Sequence, residues 1–222
     1  MTPASPGSSC DVTERLPHSD WDTTQEVFVS SFRQDHSVLD VGHRDGTKAR
    51  AINKTGARVV GLDLSINDLS RARVEGGEVV AGDGMGMPFR NDCFDGVLCL
   101  HTLEHVPEGE KLLAECHRVL RLGGKLILVT PNESRITSCL GQLKRIAGSN
   151  LRYPFNPDHI QEYDQSLIYQ LFARSSFTHF DVRPIFIGLM LSIGRRPIDI
   201  GIKTPRGLLA RYANQWLVVA EK

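Results

Sequence analysis

The chain has 222 residues, 41% of them hydrophobic and 23% charged, which suits one globular domain able to bury a core and excludes a fibrous or low-complexity chain. Its 26 basic residues balance 26 acidic ones to a formal charge of zero, so the electrostatic footprint of a nucleic-acid binder is missing and no nucleic-acid partner is expected. No run approaches the roughly 18 apolar residues of a transmembrane segment.

Residues 1–20, "MTPASPGSSCDVTERLPHSD", are rich in Ser and Pro and carry no apolar stretch of a secretory signal. They read as a disordered tail before a single domain over 21–222. Cys10, Cys93, Cys99, Cys116 and Cys139 are odd in number and never spaced C-x-x-C. They read as free thiols of a reduced, cytoplasmic protein rather than a disulfide framework or zinc knuckle.

From residue 37 the chain alternates. "SVLDV" (37–41), "RVVGL" (58–62), "EVVAG" (78–82), "FDGVLCL" (94–100) and "GKLILVT" (124–130) are short apolar runs without clean alternation, the pattern of strands buried on both faces. Helical patterns lie between them at 66–74 and at 108–121, the latter ended by Gly123-Gly124. Such repetition predicts a Rossmann-like α/β fold, a parallel sheet covered on both faces with ligands at the carboxyl ends of the strands. Beyond Pro131, residues 134–157 carry Arg135, Lys144, Arg145 and Arg152 and no acid. Their apolar residues fall on one helical face, which suits a helix on the core or a lid-like insertion meeting an anionic group. A helix is expected over 164–174, then apolar segments over 177–187 and 215–220 joined by a connection at 188–212.

Acids sit where the first three strands end. Asp40 is followed by the glycine turn "VGHRDG", Asp63 follows the second strand, and Asp83 follows the third in "GDGMGMPF". A strand ending in an acid, then a glycine turn and a helix start, is how α/β proteins offer backbone N–H groups to a nucleotide-like ligand. The dinucleotide pattern G-x-G-x-x-G is not met. Carboxylates are seldom buried unpaired, so three on one rim point to a ligand rather than a core.

Together "VLDVGHRDG", "VVGLDLSINDLSRAR" and the stretch from "VVAGDGMGMPF" through "LHTLEHVPEGEKLLAECHRVLRLGGKLILVTPN" resemble the class I S-adenosylmethionine-dependent methyltransferases, most closely their small-molecule branch. The resemblance is strong over residues 36–132. It implies a mostly parallel seven-stranded sheet with the last strand antiparallel, S-adenosylmethionine as cofactor and S-adenosylhomocysteine as product. By the same resemblance Asp40 and the turn Gly42 to Gly46 hold the methionine part, Asp63 takes the ribose hydroxyls and Leu64 lies against the adenine. Asp83 accepts from the adenine amino group beside Gly84 and Met85, Leu100 and His101 border the sulfonium, and Arg118 is structural.

The chain departs from the family at His43, Arg44 and Asp45, where small residues and a second glycine are usual because the cofactor lies close to the backbone. A large side chain there either obstructs the cofactor or turns away; Arg44 is also placed to pair with its carboxylate. Obstruction would leave an inactive scaffold of the same fold.

Methyl transfer from a sulfonium needs no protonation of the leaving group, and a base only if the acceptor must lose a proton. His101, His105 and His159 are the candidate bases, with Tyr163 and Asp158 behind them. "HTLEH" (101–105) also fits the H-x-x-E-H zinc-peptidase pattern, which requires a helix; an apolar strand precedes it and Pro107 follows, so no metal is expected. The acceptor is read as a small molecule with an anionic group and an apolar body. An RNA or protein acceptor fits the neutral charge poorly. Fold and cofactor do not select oxygen, nitrogen or carbon as the methylated atom, and no oligomeric state follows from the sequence.

Overall fold

The computed structural model describes residues 20–44, 46–74, 78–132, 159–185, 187–193, 196–202, 213 and 215–222. Residues 1–19 of the expected tail at 1–20, the whole insertion at 134–157, and residues 194, 195 and 203–212 of the connection at 188–212 lie outside these residues.

The chain begins with α1 (Asp20–Ser31) and continues through β1 (Ser37–Val41), α2 (Thr47–Asn53), β2 (Arg58–Asp63), α3 (Ile66–Val74), β3 (Glu78–Ala81) and β4 (Phe94–Leu100). A 3-10 turn at Leu103–His105 leads to α4 (Gly109–Val119) and the long β5 (Leu120–Pro131). Then come α5 (Gln165–Ala173), β6 (His179–Ile185), β7 (Ile187–Ile193), β8 (Arg196–Ile202) and β9 (Gln215–Glu221). Seven strands form one sheet in the order β3-β2-β1-β4-β5-β9-β6. β1 to β5 pair in parallel, and β9 runs antiparallel to both β5 and β6.

Period-two geometry sends successive strand residues to opposite faces. Leu39, Val41, Val97, Cys99, Leu126 and Leu128 meet α4 and α5 through Leu112, Cys116, Ile168 and Phe172. Val38, Leu98, Leu100, Ile127 and Val129 meet Phe28 and Phe32 from the first helical segment and Ile52 from α2. The runs therefore lack alternation because both faces are covered. Gly96 is the close approach that seats the α1 side: a Cβ there would overlap the Phe32 ring.

Three boundaries differ from the sequence reading. α1 was not anticipated. The helix expected to reach 121 ends at Val119, because Leu120 adopts extended angles and pairs with Phe94, so β5 starts four residues before the expected run. The connection expected at 188–212 contains, from Ile187 at its edge to Ile202, the antiparallel pair of β7 and β8.

Because β1 pairs with β2 on one side and β4 on the other, the chain reverses its direction of sheet growth at β1. The crevice this leaves beyond the carboxyl ends of the strands is where ligands bind in open α/β sheets.

Candidate functional site

The turn after β1 crosses this crevice. Gly42 and Gly46 have φ of 77° and 75°, and Arg44 between them has φ of 50°, a conformation costing a residue with a side chain about 1–2 kcal/mol. The N–H groups of Gly42 and His43 donate to the Leu62 carbonyl at 2.9 and 3.2 Å, and Gly46 N–H donates to the His43 carbonyl at 3.1 Å. His43 turns under the loop. Its Nδ1 lies 2.9 Å from Asp40 Oδ2, with both side chains buried. A Cβ on Gly61 would overlap the His43 ring, and one on Gly46 would stand 2.8 Å from its Nε2; these glycines form the seat of the imidazole. Arg44 is exposed instead.

At the end of β2, Asp63 binds this turn. Its Oδ2 accepts from Arg44 N–H and its Oδ1 from Ser65 N–H, each at 2.8 Å. A carboxylate has about four acceptor sites, so two backbone bonds fix its orientation and leave capacity for a ligand. Leu64 beside it is 72% exposed. Asp83 Oδ1 accepts from Met85 N–H at 2.8 Å. Arg118 pins the rest of that loop, donating to the carbonyls of Met87 and Phe89 at 3.0 and 2.8 Å and to Glu115. Its role is structural, as the resemblance implied.

His101 follows β4 with φ of 56°, its N–H donating to the Val129 carbonyl at 2.8 Å. The side chain is partly exposed, with Nδ1 3.3 Å from Glu104 Oε1. Glu104 is 2% exposed, and its Oε2 accepts from buried Thr130 Oγ1 at 3.1 Å. Burial pushes the Glu104 carboxyl up, but the His101 imidazole, the local backbone and His105 outweigh it and hold the group below the ordinary glutamate value. The Glu104 carbonyl accepts from Ile160 N–H at 2.8 Å and Gln161 N–H at 3.2 Å. This fastens His159 beside His105, their rings 5.0 Å apart and nearly perpendicular. Burial, then the negative charge of Glu104, push the Tyr163 hydroxyl to about 12, which makes it a poor base at neutral pH.

One cavity of about 520 Å³ joins these parts. Of the residues singled out in the sequence, Gly42, Arg44, Asp63, Leu64 and Gly84 line one portion and His101, His105 and His159 another. Asp40, Gly46, Asp83, Met85 and Leu100 are not among its lining residues. Leu100 belongs to the core and Asp40 is 1% exposed, placed by the strand's alternation on the covered face shared with Val38. Asp158 lies outside the described residues. Sequence reasoning missed Thr102 and Glu104 as lining residues. Thr102 Oγ1 donates to the Val41 carbonyl at 2.9 Å, and a Cβ at Gly42 would overlap that side chain. The signal for Glu104 was present in "HTLEH", which was read as part of the methyltransferase resemblance and as a peptidase pattern, with no role given to the glutamate.

Residues 39–128 match the family model of a methyltransferase domain. The demethylmenaquinone methyltransferase of Thermobifida fusca is 35% identical over 98 residues, 41% of this chain and 42% of that one. The ubiquinone biosynthesis O-methyltransferase of Hahella chejuensis is 34% identical over 108 residues, 44% of each chain. Among solved structures, a SAM-dependent methyltransferase from Thermotoga maritima superposes with a TM-score of 0.66 at 19% identity, covering 91% of this chain and 89% of that one. Residues 39–128 thus carry the sequence pattern of a methyltransferase domain, on the fold of the solved methyltransferase. The matched stretch spans less than half the length of these two curated relatives, and the solved structure shares the fold. Strands β1 to β4 carry the turn, the acids and the His101 segment, all inside the matched span. His159 lies beyond it. No helix among the described residues is long and apolar enough to cross a membrane.

Proposed function

We propose that this chain transfers the methyl group of S-adenosylmethionine to a small-molecule acceptor. The observation that carries the reading is the single cavity of about 520 Å³, which has a glycine and carboxylate portion at β1 to β3 and a histidine-rich portion after β4. Its size lies within the roughly 300–1,000 Å³ of small-molecule sites. The residues fit the cofactor. Backbone at Gly42 and Gly84 allows close approach, oriented Asp63 receives the ribose hydroxyls, and Leu64 offers an apolar plate to the adenine. Arg44 is set to meet a carboxylate as a charge-assisted partner. Asp83 and Met85 complete the adenine side, and Gly46 and Leu100 support the loop and strand.

Asp40 serves the methionine part through His43, whose ring holds the turn from below. This favours a working loop over a decayed one: the large residues at 43 and 44 go under and outward.

When bound, the cofactor supplies an electrophilic methyl whose leaving group departs as a neutral thioether. The chain's own work is then to align the acceptor, exclude water and take a proton where the acceptor has one. His101, His105 and His159 are the groups available for that proton. The printed names of the curated relatives, demethylmenaquinone and ubiquinone biosynthesis enzymes, support an aromatic small-molecule acceptor with an apolar body.

Calorimetric titration with S-adenosylhomocysteine tests the reading. The parent protein is expected to bind in the micromolar range and Asp63→Ala to lose affinity by roughly 10- to 100-fold, the worth of charge-assisted hydrogen bonds. Arg44→Gly is expected to weaken binding by less than about tenfold, because the exposed guanidinium meets the carboxylate in water, where an ion pair is worth about 1 kcal/mol or less. No binding by the parent would overturn the reading.

A further inference from the structure

The geometry points to a divalent transition-metal site formed by Glu104, His105 and His159 at the acceptor end of the cavity, and therefore to an acceptor that ligates the ion through a hydroxyl oxygen. What the ion acts on rests on the methyl-transfer reading; the site itself does not.

One potential ligand atom from each of the three residues lies within 4.8 Å of the others. Around zinc, with bonds of about 2.0–2.2 Å, tetrahedral ligand atoms stand roughly 3.4 Å apart. Both histidines are partly exposed and line the cavity, so closing the difference calls on side chains that already face it. The carboxylate is already fixed, since Thr130 holds Oε2. Its Oε1 is buried and has no hydrogen-bond partner among the described residues. His101 Nδ1 stands 3.3 Å from it as an ion-pair contact. A buried carboxylate oxygen held by a single imidazole contact is under-satisfied, and a cation bound between it and the other two imidazoles would complete its partners.

The backbone organises the same cluster. His105 sits on the 3-10 turn with its N–H donating to the Thr102 carbonyl at 3.0 Å, and the segment carrying His159 is tied to the Glu104 carbonyl. The peptidase arrangement of H-x-x-E-H is not made here. His101 follows β4 with a left-handed backbone and lies outside the 3-10 turn that carries His105, so the two do not share a helical face. His159, remote in sequence, takes the place of the second histidine, which is why the expectation of no metal is revised.

Two imidazoles and one carboxylate suit zinc, iron, cobalt or nickel, whereas magnesium and calcium prefer oxygen ligands. Three protein ligands in a cavity leave an open position. An acceptor hydroxyl bound there is acidified by the ion and releases its proton to His101, the one of the three cavity histidines left outside the metal set. An oxygen lone pair then forms the bond to the methyl carbon, the carbon–sulfur bond breaks, and its electron pair stays on sulfur. The ion keeps its oxidation state throughout.

The test uses the full-length, tag-free chain, stripped with chelator and titrated with Co(II) while its visible ligand-field absorption is recorded. The parent and His179→Ala, a change at an exposed histidine on β6, are expected to take up one equivalent that Zn(II) displaces. His105→Ala and His159→Ala are expected to lose affinity by more than about tenfold, and His105→Asn and His159→Gln decide the matter if an alanine variant fails to fold. No uptake by the parent, or equal uptake by all variants, overturns the site. Titration of the same samples with S-adenosylhomocysteine in chelator separates the two readings. Cofactor binding without metal uptake rejects the metal site alone, and metal uptake without cofactor binding rejects the methyl-transfer reading alone.

Discussion

His43 and Gly61 occupy one volume: the imidazole fills the space a Cβ at 61 would need. Gly61→Ala should therefore destabilise the chain by about 1–3 kcal/mol through overpacking. In a His43→Ala background the same change should cost much less, giving a coupling of comparable size in a double-mutant cycle followed by urea unfolding. Additive effects would show that the ring is not seated as described. Arg44→Gly releases the left-handed strain at φ of 50° and should raise stability by about 0.5–1 kcal/mol, somewhat less than the full penalty because glycine also loosens the unfolded chain. A lowered urea midpoint would mean that Arg44 holds the turn by contacts instead. At this scale the sequence revealed which residues were unusual. It could not reveal that His43 goes under the loop, because the partner space is made by Gly61 on the next strand.

The elements that fix the site are held by contacts between segments distant in sequence. Phe32 packs into the sheet at Gly96 and is buried with Phe28, so Phe32→Ala should cost about 3–5 kcal/mol, read from the chemical denaturation midpoint. The loop after β3 depends on Arg118, which joins it to α4 by bonds to the Met87 and Phe89 carbonyls and to Glu115. Arg118→Ala should lower stability by about 2–3 kcal/mol, through loss of charged hydrogen bonds and exposure of backbone acceptors; a change below 0.5 kcal/mol, the usual surface-substitution limit, would assign the loop another anchor. The β1 to β4 strands were legible because runs buried on both faces announce themselves. α1 was not, since a short amphipathic segment next to a polar stretch has a weak period, and its burial depends on Gly96 far along the chain.

For the molecule as a whole, acid is the condition that separates folded from unfolded. Arg118 above all, aided by Met87 N–H against the opposing effect of burial, holds Glu115 below its ordinary value of 4.5. Burial raises Asp95, but Ser37 N–H and Arg121 outweigh it and leave the group below its ordinary value of 3.8. With folded-state values depressed, the stabilisation is present in full above the unfolded values and is lost as pH falls through the folded ones. The melting temperature should therefore decline below about pH 4.5, and Glu115→Gln should lessen that decline while lowering stability at neutral pH. An unchanged acid slope in the variant would remove Glu115 from this account.

The sequence by itself determined the alternating α/β plan and the acids at the strand ends, because local hydrophobic period and turn chemistry are written in consecutive residues, and its motifs carried the likeness to the methyltransferases. It placed Asp63 and the three histidines among the site residues, and each lines the cavity. Only the tertiary structure decided that Asp40 is covered and paired with His43, that Leu100 is core, and that His159 stands against His105 and Glu104. Those are questions of which side chains from separate segments share a space, and strand pairing, helix cover and backbone ties at Glu104 settle them.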